Sequence, residues 1–165
     1  MIEIKPAGIE IIETVRQLAH EIWPTAYSEI LSEQQVEYML DKMYSYEALR
    51  HQIKVLKHQF IIISENEKPI GFASFSVHED DPTIFHLNKI YVLPQQQGKN
   101  TGKKLLEYVI YKIKESDATT LQLNVNRNNK ALHFYKKIGF KIIREEDIDI
   151  GNGYFMNDYV MALDV

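Results

Sequence analysis

Leu87-Asn88-Lys89-Ile90-Tyr91-Val92, then Pro94-Gln95-Gln96-Gln97-Gly98-Lys99-Asn100-Thr101-Gly102-Lys103-Lys104, then an apolar series at Leu105, Leu106, Val109, Ile110 and Ile113, form the stretch on which the fold turns. The first segment ends a strand pattern running from Thr83 to Leu93 and stopped by Pro94. The last has the spacing of an amphipathic helix. Between them lies a loop with two glycines that leads directly into the helix. The first turn of a helix has free backbone N–H groups and the positive end of the helix dipole, and glycines let an anion approach those amides. Lys99 and Lys103 add positive charge at the rim. Such a loop can also serve only to make the turn. It is not a P-loop, because Gly102-Lys103 is followed by Lys104 rather than Ser or Thr, and it lacks the three-glycine dinucleotide spacing.

Working outward, Ile2 and Ile4 alternate with polar neighbours and read as a first strand stopped at Pro6. Ile11, Ile12, Val15, Leu18, Ala19 and Ile22 predict a helix from Ile9 to about His20, interrupted at Trp23-Pro24. Ser32 and Gln35 form a capping box ahead of the stripe Val36, Met39, Leu40 and Met43. Residues 45 to 57 predict a third helical segment. Residues 59 to 78 read as a hairpin turning at Glu65-Asn66-Glu67-Lys68. After the central helix, Thr120 to Val125 reads as a strand, Asn128 to Ile138 as a helix closed by Gly139, and Phe140 to Ile150 as a strand. Gly151-Asn152-Gly153 turns into a last strand, Tyr154 to Leu163. These elements predict one α/β domain over residues 1–165.

The chain has 165 residues, 45% of them hydrophobic and 25% charged, with a net charge of −4. That balance fits a folded globular domain and argues against a general nucleic-acid binder, which needs clustered Lys and Arg. With no cysteine, a disulfide, a thiolate metal site and a cysteine nucleophile are all excluded. The opening Met1-Ile2-Glu3-Ile4-Lys5-Pro6 lacks a signal-peptide pattern, and no apolar run approaches ~20 residues, so the expectation is a cytoplasmic protein away from the membrane.

Gln97-Gly98-Lys99-Asn100-Thr101-Gly102 resembles the signature of the GCN5-related N-acetyltransferase superfamily: Gln or Arg, two residues, Gly, one residue, then Gly or Ala. Asn100 stands where the first glycine of that signature is usual. Among residues other than glycine, Asn is the one best suited to a left-handed backbone. Asn128, Ala131, Phe134, Tyr135, Lys137, Gly139 and Phe140 are similar to the superfamily's later motif. The resemblance implies a mixed, mostly antiparallel α+β sheet of about seven strands, with splayed central strands flanked by helices. It implies acetyl-coenzyme A as donor, with the backbone of Ile90, Tyr91 and Val92 pairing with its pantetheine arm. The amides of Gly98, Lys99, Asn100, Thr101, Gly102 and Lys103 would surround the pyrophosphate, Gln97 at the head of the signature would also bind the cofactor, and Asn128 would add a cofactor contact, although an Asn there also suits an ordinary helix cap.

By the same resemblance Tyr135 is the general acid for the departing thiolate, since a phenol can donate while neutral at pH 7. Many relatives carry a basic Glu on the cofactor strand, and the alignment places His86 there. Imidazole titrates near neutrality and can accept the amine's proton. Glu79, Asp80 and Asp81 in the preceding turn are rivals for that role.

The acceptor implied is a small-molecule primary amine. Glu29, Glu33, Glu37 and Asp41 share one helix face, a stripe that attracts a polycation or is simply solvated. Tyr27, Tyr38, Tyr44 and Tyr46 either wall an amine pocket or pack the helices. The segments Trp23 to Tyr27, Ile30 to Gln34, and Asn157-Asp158-Tyr159-Val160-Met161 are similar to PaiA-type polyamine acetyltransferases, which points to spermidine or spermine. A protein N-terminus or lysine, and a non-catalytic coenzyme A-binding module, are the alternatives. Homodimers are common among the resembling enzymes, with the late strands a plausible contact.

Overall fold

A computed structural model describes all residues from Met1 to Val165. Strand β1 (Ile2–Ala7) is followed by a 3-10 turn (Ile9–Ile11) and helices α1 (Ile12–Ala26), α2 (Glu33–Tyr44) and α3 (Tyr46–Lys54). Strands β2 (Gln59–Glu65), β3 (Lys68–Val77) and β4 (Ile84–Val92) come next, then α4 (Thr101–Lys114), β5 (Thr120–Asn126), α5 (Ala131–Ile138), β6 (Lys141–Gly151) and β7 (Tyr154–Asp164). The seven strands form one sheet in the order β1-β2-β3-β4-β5-β7-β6. Only β4 and β5 are parallel; every other neighbouring pair is antiparallel.

The apolar stripes seen in the sequence are the buried faces. Val15, Leu18, Ala19, Ile22 and Trp23 of α1 and Leu105, Leu106, Val109 and Ile113 of α4 are all buried against strands that include Phe60, Ile61, Phe72 and Leu121. Each large side chain so buried contributes roughly 1.5–3 kcal/mol against the entropy of ordering it. No helix is long and apolar enough to cross a membrane.

Three local expectations are corrected. Strand β1 runs through Pro6, because it is a sheet edge and the missing N–H breaks no ladder where one side has no partner. Helix α1 continues through Pro24 to Ala26. Pro24 and His20, four residues before it, are both solvent-exposed, so water can hydrate the carbonyl that loses its donor. The capping box at α2 is half made: Ser32 accepts from the Gln35 amide, but the Gln35 side chain donates to the Phe155 carbonyl of β7 instead of turning back. That tertiary bond ties α2 to the last strand.

Two irregularities shape the centre of the sheet. Ser74 faces Lys89 while Phe75 faces Leu87, so Asn88 is an extra residue in β4 and its side chain donates to Ser76 Oγ at 3.0 Å. The parallel pairing of β4 with β5 covers only Ile84 to Leu87 against Thr120 to Leu123. Beyond it, β4 stays paired to β3 as far as Val92 and β5 to β7 as far as Asn126. The two strands therefore part, leaving a wedge between them.

Candidate active site

A cleft of about 850 Å³ opens at this wedge, with His86 to Val92 of β4 on one wall and Leu123 to Asn126 of β5 on the other. The loop from Pro94 to Lys103 closes one end, and α5 contributes Ala131, Phe134 and Tyr135. Trp23 of α1, Tyr27 just after that helix, Met39 and Met43 of α2, and Met156 and Asp158 of β7 complete the lining.

The loop has the geometry of an anion cradle. Asn100 is left-handed, with φ 62° and ψ 18°, as is Gly98 at φ 81°. The first intrahelical bond runs from the Lys104 amide to the Asn100 carbonyl. The amides of Gly98, Asn100, Thr101, Gly102 and Lys103 thus have no partner within the chain. The amides of Gln97 and Lys99 are different: they donate to the carbonyls of Pro94 and Gln96 and serve the turn. Lys99 also points away from the cleft, whereas Gln97 and Lys103 line it. Thr101 is buried and donates to the buried Gln96 side chain at 3.0 Å, which braces the helix start from inside. Gly71 of β3 sits where a side chain would come within 2.8 Å of the Tyr91 carbonyl, so only glycine lets β3 approach that part of β4 so closely.

Leu93 donates its amide to Ile70 of β3 and Tyr91 turns its carbonyl to Gly71, so by alternation the peptide groups of Ile90 and Val92 face the wedge, while Tyr91 packs its ring against Trp23, Tyr27 and Phe72. Asn128 is exposed and does not line the cleft. Neither does it cap α5: Asn129 accepts from the Ala131 amide at 2.9 Å, and the Asn128 amide itself donates to Asn126. Asn126 and Asn129 line the cleft in its place. Three asparagines crowd residues 126 to 129, and only the turn geometry separates their roles.

Tyr135 is buried, with its ring edge-on to Phe134 and Phe140 at 5.4 and 5.6 Å. Burial, with the nearby Tyr27, raises its pKa well above the usual phenol value, so the hydroxyl is held protonated. His86 is half-buried in the cleft wall. Its pKa is lowered chiefly by burial, partly opposed by Glu146, and the imidazole is kept neutral at pH 7. Glu79, Asp80 and Asp81 lie in a turn outside the cleft, where Asp81 accepts from Thr83.

The helical features divide. Glu29, Glu33, Glu37 and Asp41 are exposed and do not line the cleft, so the stripe is a solvated face. Of the four tyrosines only Tyr27 reaches the cleft; Tyr44 is core, Tyr38 donates to the Ile150 carbonyl and Tyr46 is exposed. Two charged residues of the cleft escaped the sequence reading. Lys89 is 6% exposed, forms no ion pair, lies 5.1 Å over the Tyr44 ring, and has its pKa lowered to about 8 by burial. Asp158 is 1% exposed. A charged side chain on a strand covered on both faces, and a carboxylate in phase with Met156 and Val160, were the signals available.

Residues 27–162 match the family model of the acetyltransferase (GNAT) domain. A spermidine N(1)-acetyltransferase from Thermoplasma acidophilum is 31% identical over 160 residues, covering 94% of this chain and 95% of that protein. The ribosomal protein bS18-alanine N-acetyltransferase of Haemophilus influenzae is 38% identical over 91 residues, which span 55% of this chain and only 57% of that protein. Among solved structures, the PaiA N-acetyltransferase of Thermoplasma acidophilum in complex with coenzyme A superimposes with a TM-score of 0.84 at 28% identity, covering 100% of this chain and 99% of that one. With a parted pair of central strands, a loop of unpaired amides and a match over most of its length, the chain belongs to the GNAT family of acetyltransferases, which take their acetyl group from acetyl-coenzyme A.

Proposed function

We propose that the protein acetylates an aliphatic primary amine of the polyamine class, such as spermidine, in the wedge between β4 and β5. The observation that supports this most directly is the convergence on one cleft of an open strand edge, free loop amides and a buried, protonated Tyr135. The near full-length likeness to a spermidine acetyltransferase favours a polyamine over a protein acceptor.

In this reading the donor supplies an activated acetyl thioester, and the residues of the chain bind, orient and move protons. The backbone edge of Ile90 to Val92 aligns an extended pantetheine by strand-like pairing. The amides of Gly98 and of Asn100 to Lys103 hold the pyrophosphate at the positive end of α4. Neutral His86 takes a proton from the acceptor ammonium, directly or through water, so that the nitrogen lone pair can attack the thioester carbonyl. Tyr135 gives its proton to the sulfur as the carbon–sulfur bond breaks, and is reprotonated, through water, by the proton that the acetylated nitrogen then sheds.

The test is thiol release from acetyl-coenzyme A over a panel of spermidine, 1,4-diaminobutane and short peptides. Turnover of the amines and at least a 10-fold loss in Tyr135→Phe, with coenzyme A affinity retained, is expected. Tight cofactor binding without turnover of any amine would refute the reading.

A further inference from the structure

One buried acid in the cleft has no satisfied role in the fold. Asp158 is 1% exposed and lines the cleft from β7, in register with Asn126 of β5 and Glu146 of β6. Its Oδ2 accepts from Asn124 Nδ2 at 3.3 Å, and its Oδ1 has no partner. No cation compensates it. Arg127 is engaged by Glu145 and Asp147, and Lys89 lies over Tyr44. A buried carboxylate with an unpaired oxygen is costly to the folded chain, and the cost is recovered when a ligand brings the missing donor.

The surroundings say which donor. The cleft is also lined by Trp23, Leu31, Met39, Met43 and Met156, all apolar or aromatic; Met156 is two residues from Asp158 on the same face of β7, and Gln35 ties α2 to that strand at Phe155. Flexible thioether and aromatic walls suit a methylene chain, and a single carboxylate among them suits a cationic head. A neutral acceptor could donate to Oδ1 but would leave the buried charge uncompensated, and an anionic one would be repelled.

We propose that Asp158 is the seat of an ammonium group of the acceptor, with the methionine-lined wall holding the alkyl chain behind it. This deepens the amine acetyltransferase reading and rests on it. Asp158 selects charged alkyl amines and fixes their position relative to the donor, while the loop that holds the cofactor is untouched.

The experiment uses the full chain and Asp158→Asn, which keeps the shape and an acceptor for Asn124. Coenzyme A affinity and melting temperature are measured first, then kcat and KM for 1,4-diaminobutane and for hydroxylamine, which is uncharged at neutral pH. The expected result is coenzyme A affinity within about 2-fold of wild type and a fall in kcat/KM for 1,4-diaminobutane of about 50-fold or more, chiefly through KM, as for loss of a buried charge partner. Hydroxylamine should lose less than about 3-fold by the same argument. Equal losses on both nucleophiles, or no loss on the diamine, would overturn the proposal. If wild type turns over neither nucleophile although it binds acetyl-coenzyme A, the activity reading has failed, and equilibrium binding of 1,4-diaminobutane to the coenzyme A-loaded protein decides for Asp158. Binding weakened by Asp158→Asn supports the seat; binding absent or unchanged refutes it. Asp158→Ser serves if the first variant does not fold, and failure of both to fold would assign Asp158 to the fold alone.

Discussion

The hydroxyls of Tyr27 and Tyr91 meet at 2.9 Å, joining the end of α1 to β4 where the strands part. Trp23 lies against both rings, with centroids 4.6 and 5.7 Å away. Tyr27→Phe or Tyr91→Phe leaves one hydroxyl without its partner and should cost about 1 kcal/mol or more. The double variant should cost less than the two singles together, since removing both polar groups leaves nothing unpaired. Urea unfolding of the four proteins measures the coupling; strict additivity would show the bond contributes nothing.

Asn100 carries a left-handed backbone where the family signature has glycine. Its side chain makes no cap bond, so backbone conformation is its whole contribution to the loop. Asn100→Gly should be neutral within about 0.5 kcal/mol, whereas Asn100→Ala should cost about 1 kcal/mol and weaken coenzyme A binding by tilting the free amides. Calorimetric titration with coenzyme A and thermal melts test both; equal behaviour of the two variants would contradict the backbone argument.

His86 has its pKa lowered from 6.5, chiefly by burial. If it accepts the amine's proton it must be neutral, so kcat/KM should fall as pH drops through a value below 6.5. His86→Gln should remove that acidic limb and reduce activity at neutral pH about 10-fold or more. A pH–rate profile with the same limb in the variant would exclude His86 as the base.

Lys89 loses its proton near pH 8 when folded, against 10.5 for an ordinary lysine. Between those values the unfolded chain binds the proton that the folded chain has released, so folding stability rises with pH across the window, and below it the penalty is complete. Lys89→Met should therefore stabilise the protein at pH 7 by about 2 kcal/mol, after loss of the cation–π contact with Tyr44. The advantage should fade from pH 8 towards 10.5. Denaturant midpoints at pH 7 and pH 10 check the sign; a gain that grows with pH would contradict it.

The order of strands and helices was legible because alternation and helical spacing coincide with turn residues at nearly every boundary. The cradle was legible because glycine and asparagine mark left-handed backbone locally. What escaped depends on distant partners. The extra residue at Asn88 exists only relative to Ser74 and Phe75, and no local signal distinguishes it. Pro6 and Pro24 look like stops in the sequence, yet one lies on an edge strand and the other faces solvent, which only the assembled sheet reveals. Asp158 stands within the stretch Asn157 to Met161, but what sets it apart is burial with an oxygen left unpaired. Asn128 matched the family pattern in sequence while the turn carried it out of the cleft.

The parting of β4 from β5 after Leu87 and Leu123 leaves two strand edges whose peptide groups hydrogen-bond to water until a ligand arrives. In the function proposed above, the incoming donor acts as a temporary strand and completes a sheet that the polypeptide leaves unfinished. Each turnover then ends with that strand withdrawn and the wedge flooded again. Solvent bonds replace the strand-like bonds that are lost, so that pairing by itself holds the spent carrier only weakly. A fold that closed the gap with its own residues would be a sturdier sheet and could not cycle.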